Sequence, residues 1–91
     1  MSIETEPVSD SAPDIDDLRQ EIDQLDAEIL ARVQRRTEVS KLIGKARMAS
    51  GGTRLVHSRE MKVIERYSQL GPEGKDLAML LLRLGRGRLG H

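Results

Sequence analysis

The chain has no cysteine, tryptophan or phenylalanine, one aromatic residue in Tyr67, and two histidines, His57 and His91. Each shortage closes off a class of chemistry. Without cysteine there is no disulfide framework, no thiolate zinc site and no thiol nucleophile. Two histidines are too few for a His-rich metal centre or a His-based catalytic network. No stretch approaches the ~18 consecutive apolar residues of a membrane span. The acidic start from Met1 to Asp17 lacks the basic and apolar blocks of a signal peptide, so a cytoplasmic protein is expected. A core of Leu, Ile, Val, Met and Ala, without bulky rings, is small and suits helices better than a β sandwich. At 91 residues the chain makes one domain at most.

What is abundant is charge, and it is unevenly placed. The formal net charge is zero. Residues 1–28 nevertheless hold ten acids and one base, Arg19, while residues 29–91 hold five acids and fourteen bases. A −9 portion therefore precedes a +9 portion. Such polarity favours antiparallel self-association, with the acidic end of one long element beside the basic end of another. The basic portion alone points to an anionic ligand or a nucleic acid.

Residues 1–13 carry Ser, Pro, Glu and Asp with few apolar residues and read as a disordered leader. A helix start comes next: Asp14 can cap, and Asp16 and Asp17 suit the positive end of the helix dipole. Apolar residues then recur at Ile15, Leu18, Ile22, Leu25, Ile29, Val33, Val39, Leu42, Ile43 and Ala46, in the threes and fours of a helix. Nothing stops the pattern before Ala49-Ser50-Gly51-Gly52, although Gly44 lies inside it. The stretch Ser50 to Thr53 reads as a mobile loop. A second helix is expected from Val56 or His57 to Leu70, ended by Gly71-Pro72. A third is expected from Glu73 to Leu84, before a flexible tail from about Gly85 to His91. The class is all-α, one long helix and two shorter ones, in a single domain over residues 14–91.

The first helix is too long for its own domain. Some 34 residues at 1.5 Å each span ~50 Å, against a diameter near ~30 Å for a compact monomer of this size. An apolar stripe along such a helix needs cover from another chain, and an intertwined helical homodimer is the expectation.

The informative residues are those that break the stripes. On the first helix the inward row runs Ile22, Leu25, Ile29, Val33, Arg36, Ser40, Ile43, Arg47. Arg36 and Arg47 are eleven residues apart, within ~20° of three full turns, so both face one side. Their Cα atoms lie ~16 Å apart, a gap two extended arginines can close around one small ligand. Arg32 and Arg35 point elsewhere and can pair locally with Glu28 and Glu38. On the second helix Glu60 is the polar member of the row Val56, Glu60, Val63, Tyr67, Leu70, with Arg59 at its border. On the third, Arg86 interrupts Met79, Leu82, Arg86, Leu89. Charges in such rows need a partner or a ligand.

Arg19 borders the Ile15–Ile22 stripe, ~25 Å along the axis from Arg36. One helix cannot bring both to a small molecule, but an antiparallel pair can set Arg19 of one chain near Arg36 of the other. Against this stands the ordinary fate of a lone arginine in a helical stripe, which is to snorkel or pair at an interface. By the same default Glu60 simply pairs with one of these arginines, Arg54, Arg66, Arg83 and Arg88 are solvated, and His57 belongs to a helix start. It is the conjunction of several inward arginines with one glutamate that points to an anionic small-molecule pocket.

These residues resemble the all-α chorismate mutases over Ile15 to about Arg88. The stretches that carry the resemblance are Leu18-Arg19-Gln20-Glu21-Ile22-Asp23-Gln24-Leu25-Asp26, Arg35-Arg36 with Val39, Ile43-Gly44-Lys45-Ala46-Arg47, and Val56-His57-Ser58-Arg59-Glu60. The chain looks most like the short, intracellular actinobacterial-type branch. The resemblance implies an isomerase of the shikimate pathway, rearranging chorismate to prephenate for phenylalanine and tyrosine synthesis. That reaction is concerted and pericyclic, and it needs no cofactor, metal, nucleophile or general acid. Catalysis would consist of holding the compact conformer and placing cations where charge develops on the ether oxygen.

Carried over by position, Arg19 of a partner chain, Arg36 and Arg59 would bind the carboxylates and neighbouring polar groups. Arg47, where many relatives have Lys, and Arg86, where relatives often have Gln, would stand beside the ether oxygen. Glu60 would accept a hydrogen bond from the ring hydroxyl. Val56 falls where several relatives have Asp, so that only backbone groups could serve there, and Leu82 replaces a small polar residue. These departures imply an enzyme weak by itself. In similar short mutases the remedy is a complex with 3-deoxy-D-arabino-heptulosonate 7-phosphate synthase. Here residues 50–55 and the tail from Gly85 to His91 are the parts such a partner could reset.

A regulatory adaptor of the synthase with little activity shades into this reading, and two further readings are open on the residues. A related lyase that removes pyruvate from isochorismate shares fold and site, but it favours Lys in the loop where this chain has Arg54. A non-enzymatic helical dimer binding nucleic acid through its arginines would need outward clusters and stacking platforms. The key arginines read as inward, and Tyr67 is the only Phe, Tyr or Trp.

Overall fold

The computed structural model describes residues 13–52 and 56–86. The expected leader lies almost wholly outside these residues, as do positions 53–55 and the tail from Gly87. Three α-helices succeed one another: α1 over Ile15–Ala49, α2 over His57–Tyr67 and α3 over Pro72–Arg86. A short 3-10 turn over Ser68–Leu70 separates the last two. No strand occurs among the described residues.

The caps explain the boundaries. Asp14 opens α1 as expected: its Oδ1 accepts from the Asp16 N–H at 3.0 Å, and its carbonyl accepts from the Leu18 N–H at 3.1 Å. At the other end the expected loop begins as a defined turn over Ser50 to Gly52. Gly51 takes a left-handed φ of +84°. This lets the Gly52 N–H donate to the Arg47 carbonyl at 2.8 Å and the Gly51 N–H to the Met48 carbonyl at 3.1 Å. Those two bonds are a Schellman cap, which satisfies carbonyls that the helix end would otherwise leave open. Ser50 adds its hydroxyl, donating 3.0 Å to the same Arg47 carbonyl.

Between α2 and α3 the turn uses Gly71 at φ +93°, a region where a side chain would be strained. Pro72 then starts α3, where its missing N–H costs nothing. Gly74 completes the corner. A Cβ there would run into the Tyr67 carbonyl, so the first turn of α3 sits directly on the end of α2.

The chain divides into two compact units, Met1–Ala31 and Arg32–His91. In the first, every described residue is exposed. Its apolar stripe of Ile15, Leu18, Ile22, Leu25 and Ile29 keeps between 44% and 63% of its surface accessible. The second unit contains the last turns of α1, all of α2 and all of α3. Among the described residues its core is small: Val63, Ala78 and Leu81 are the buried apolar side chains, joined by the buried Gly44, Gly74 and Gly85.

The third helix differs from expectation in two ways. It continues two residues past Leu84, to Arg86. Its buried face is Gly74, Ala78, Leu81 and Gly85, a four-three-four row. The row that reads as inward in the sequence, Met79, Leu82 and Arg86, lies about 100° around the helix from Ala78, Leu81 and Gly85. Met79 is exposed while Leu82 and Arg86 are half-buried; Leu89 lies outside the described residues.

Candidate active site

The second unit forms a half-open cavity of about 450 Å³, within the range of small-molecule sites. Helix α1 lines it with Arg36, Val39, Ser40, Ile43, Gly44 and Arg47. These fall on one face because Arg36, Ser40, Ile43 and Arg47 step by four, three and four. Helix α2 contributes Arg59, Glu60 and Val63, with Val56 at its N-cap, and α3 contributes Leu82, Gly85 and Arg86. Seven of the eight residues expected at the site therefore line one cavity: Arg36, Arg47, Val56, Arg59, Glu60, Leu82 and Arg86. The eighth, Arg19, is exposed in the first unit and is not among the lining residues.

Two of the cations are held by visible bonds. Arg36 Nη1 donates to the Leu81 carbonyl at 3.2 Å across 45 positions of sequence. A guanidinium has five N–H donors, so this bond seats the side chain without exhausting it. Arg86 Nη2 donates to Glu60 Oε2 at 2.6 Å, in a pair whose side chains are 28% and 21% exposed. Charge assistance and shielding from solvent make this a firm contact and orient both groups along the wall. By contrast Arg35 pairs with Glu38 at 3.0 Å on the open surface, in line with its helix position, with both partners about two-thirds exposed.

The cavity thus gathers four guanidinium groups and one carboxylate, a formal excess of three positive charges. Val39, Ile43, Val56, Val63 and Leu82 supply apolar wall between them. That inventory fits a small molecule with more than one negative group on a carbon frame, since a guanidinium fork matches a carboxylate edge. Among the described residues no group of three or more His, Cys, Asp or Glu could hold a metal ion. No described helix is long and apolar enough to cross a membrane.

Sequence reasoning missed Gly85 as a wall residue, because its glycine-rich surroundings read as tail. The available signal was the spacing of small residues, Gly74, Ala78 and Gly85, on one face of α3. Gly44 reads in the sequence only as an interruption of α1, whereas it is buried and lines the cavity.

An all-α chain with an arginine-lined pocket agrees with the family match, because residues 18–84 fit the family described as chorismate mutase type II. The chain belongs to that family. It is 80% identical over 89 residues to the intracellular chorismate mutase of Mycobacterium tuberculosis strain H37Rv, covering 98% of this chain and 81% of the relative. It is 83% identical over 83 residues to the protein of the same name from Mycolicibacterium smegmatis, covering 90% and 80%. Among solved structures it matches a chain of a non-covalent complex of DAHP synthase and chorismate mutase from Corynebacterium glutamicum with a bound transition state analog. The TM-score is 0.78 at 56% identity, over 84% of this chain and 93% of that one.

Proposed function

We infer that this chain is a chorismate mutase, an isomerase that converts chorismate to prephenate in aromatic amino acid biosynthesis. The observation that carries the reading is the convergence of Arg36, Arg47, Arg59 and Arg86 with Glu60 on one cavity. Chorismate carries two carboxylates, and its rearrangement breaks a C–O bond while forming a C–C bond, with no proton or electron exchanged with the protein. The protein has to hold the folded, chair-like conformer and stabilise partial negative charge on the ether oxygen.

Arg36, fixed by Leu81, and Arg59 bind the carboxylates. Arg47 and Arg86 meet the ether oxygen, where their charge counts more in the transition state than in the ground state. Glu60 accepts from the ring hydroxyl. Its bond to Arg86 holds the carboxylate against the cavity wall, beside the cation that serves the neighbouring ether oxygen. Leu82 and Val56 offer shape and, at Val56, backbone groups only.

The working form is a homodimer in which Arg19 of one chain completes the site of the other. Two observations support it: the uncovered stripe from Ile15 to Ile29 and the opposite charges of the two portions of the chain. A complex with 3-deoxy-D-arabino-heptulosonate 7-phosphate synthase raises the activity, acting through residues 50–55 and the tail. The support is the complex named for the Corynebacterium structure; positions 53–55 and 87–91 lie outside the described residues.

The test is direct. Chorismate loss is followed by absorbance with purified chain, alone and with the synthase. Prephenate should form slowly alone and faster in the mixture. No prephenate in either arm sinks the reading, and equal rates sink the activation. Removing Arg88–His91 should abolish the acceleration while leaving the slow rate.

A further inference from the structure

Arg86 reaches the cavity from the last turn of α3, and the residue before it sets how near that turn comes to α1. Gly85 is buried and lines the cavity beside Ser40. A Cβ at Gly85 would overlap Ser40 Oγ and come within 2.8 Å of Ser40 Cβ. The hydroxyl could rotate away. Ser40 Cβ is fixed to the α1 backbone, so a larger residue at 85 must push the end of α3 off α1. Glycine is also a poor helix former, and its presence in a helical turn calls for a packing reason. The close approach supplies one. Arg86, one residue on, holds Glu60 at 2.6 Å, and a displaced helix end carries the guanidinium with it.

We propose that Gly85 is a positioning residue for the reaction: it lets α3 seat on Ser40 closely enough for Arg86 to meet Glu60 and the substrate. This rests on reading the cavity as the mutase site. It gives the glycine a role in turnover that is exerted through Arg86, separate from holding the fold together.

The experiment is a kinetic cycle on the full chain, run where circular dichroism shows every variant folded. Gly85→Ala should lower kcat by about tenfold to a hundredfold, the scale of a misplacement near 1 Å, with KM moving less than about threefold. In an Arg86→Ala background the same substitution should cost less than about twofold, because its target is gone. Combining Gly85→Ala with Ser40→Gly, which removes both crowded atoms, should restore kcat to that of Ser40→Gly alone. A full further loss in the Arg86→Ala background overturns the proposal, as does failure of Ser40→Gly to rescue. If Gly85→Ala does not fold, the Ser40→Gly pair carries the test, and an inactive pair overturns it. Should the parent chain form no prephenate, the functional reading falls, and the packing is read from the Arg86 Nε–H resonance instead. Gly85→Ala should shift that resonance and Ser40→Gly should return it; a resonance indifferent to both overturns the proposal.

Discussion

The two units of this chain share one helix and use it differently. Residues 15–31 of α1 carry acids on their polar side and bury nothing within the chain. Residues 32–49 carry bases and line a cavity with Arg36, Ser40, Ile43 and Arg47. The same helical periodicity runs through both. What changes is which side chain occupies the inward step: Ile22, Leu25 and Ile29 in the first, Arg36 and Arg47 in the second. An apolar residue at an inward step needs cover and a cationic one needs an anion. One stretch leaves an apolar stripe exposed; the other lines a cavity with cations.

Three substitutions would break or sharpen that contrast, beginning with the largest effect. Arg47→Ala should lower kcat by about a hundredfold or more, the range for removing one preorganised charge donor. Its thermal melt should stay close to the parent's, because Arg47 is exposed in the free chain. Activity within tenfold of the parent would show that the cation is misplaced.

Leu25→Asp strikes the other unit and should act through assembly. Sedimentation should show the mass falling from twice 10.2 kDa to once that value, and activity should fall with it because Arg19 no longer arrives. A parent chain that sediments as a monomer at micromolar concentration would remove the dimer from the mechanism. Arg35→Ala should do least. An exposed helix pair contributes ~0.3–0.5 kcal/mol, so the melt should move by at most a few degrees with kcat and KM unchanged.

The periodic elements were legible in the sequence. Arg36 and Arg47 were readable as one face because eleven residues nearly complete three turns, and Glu60 because it interrupts an apolar row. The start of α1 at Asp14 came from capping chemistry. The legibility ended where structure depends on contact between elements. On α3 the large Leu and Met residues drew the reading to Met79 and Leu82. The helix instead turns Gly74, Ala78, Leu81 and Gly85 inward, because small residues allow close approach and large ones can stand at the edges. Gly85 looked like the start of a tail because nothing local announces Ser40 on the other side. Ser50–Gly52 read as a loop, and composition does not say that its first residues close α1 with a Schellman cap. Arg19 is not among the residues that line the cavity, and periodicity alone does not say what it meets.

The cap at the end of α1 isolates the cation beneath it from the connection to α2. The Arg47 carbonyl is gripped by the Gly52 N–H at 2.8 Å and the Ser50 hydroxyl at 3.0 Å. The last turn is thereby clamped from outside the helix, which satisfies a carbonyl that the helix end would leave open. A change in the length or course of the connection beyond Gly52 need not travel back into the helix, whereas a partner that grips Ser50 to Gly52 acts on the clamp itself. The cap works as a strain relief, letting the connection be tuned while the charge keeps its register.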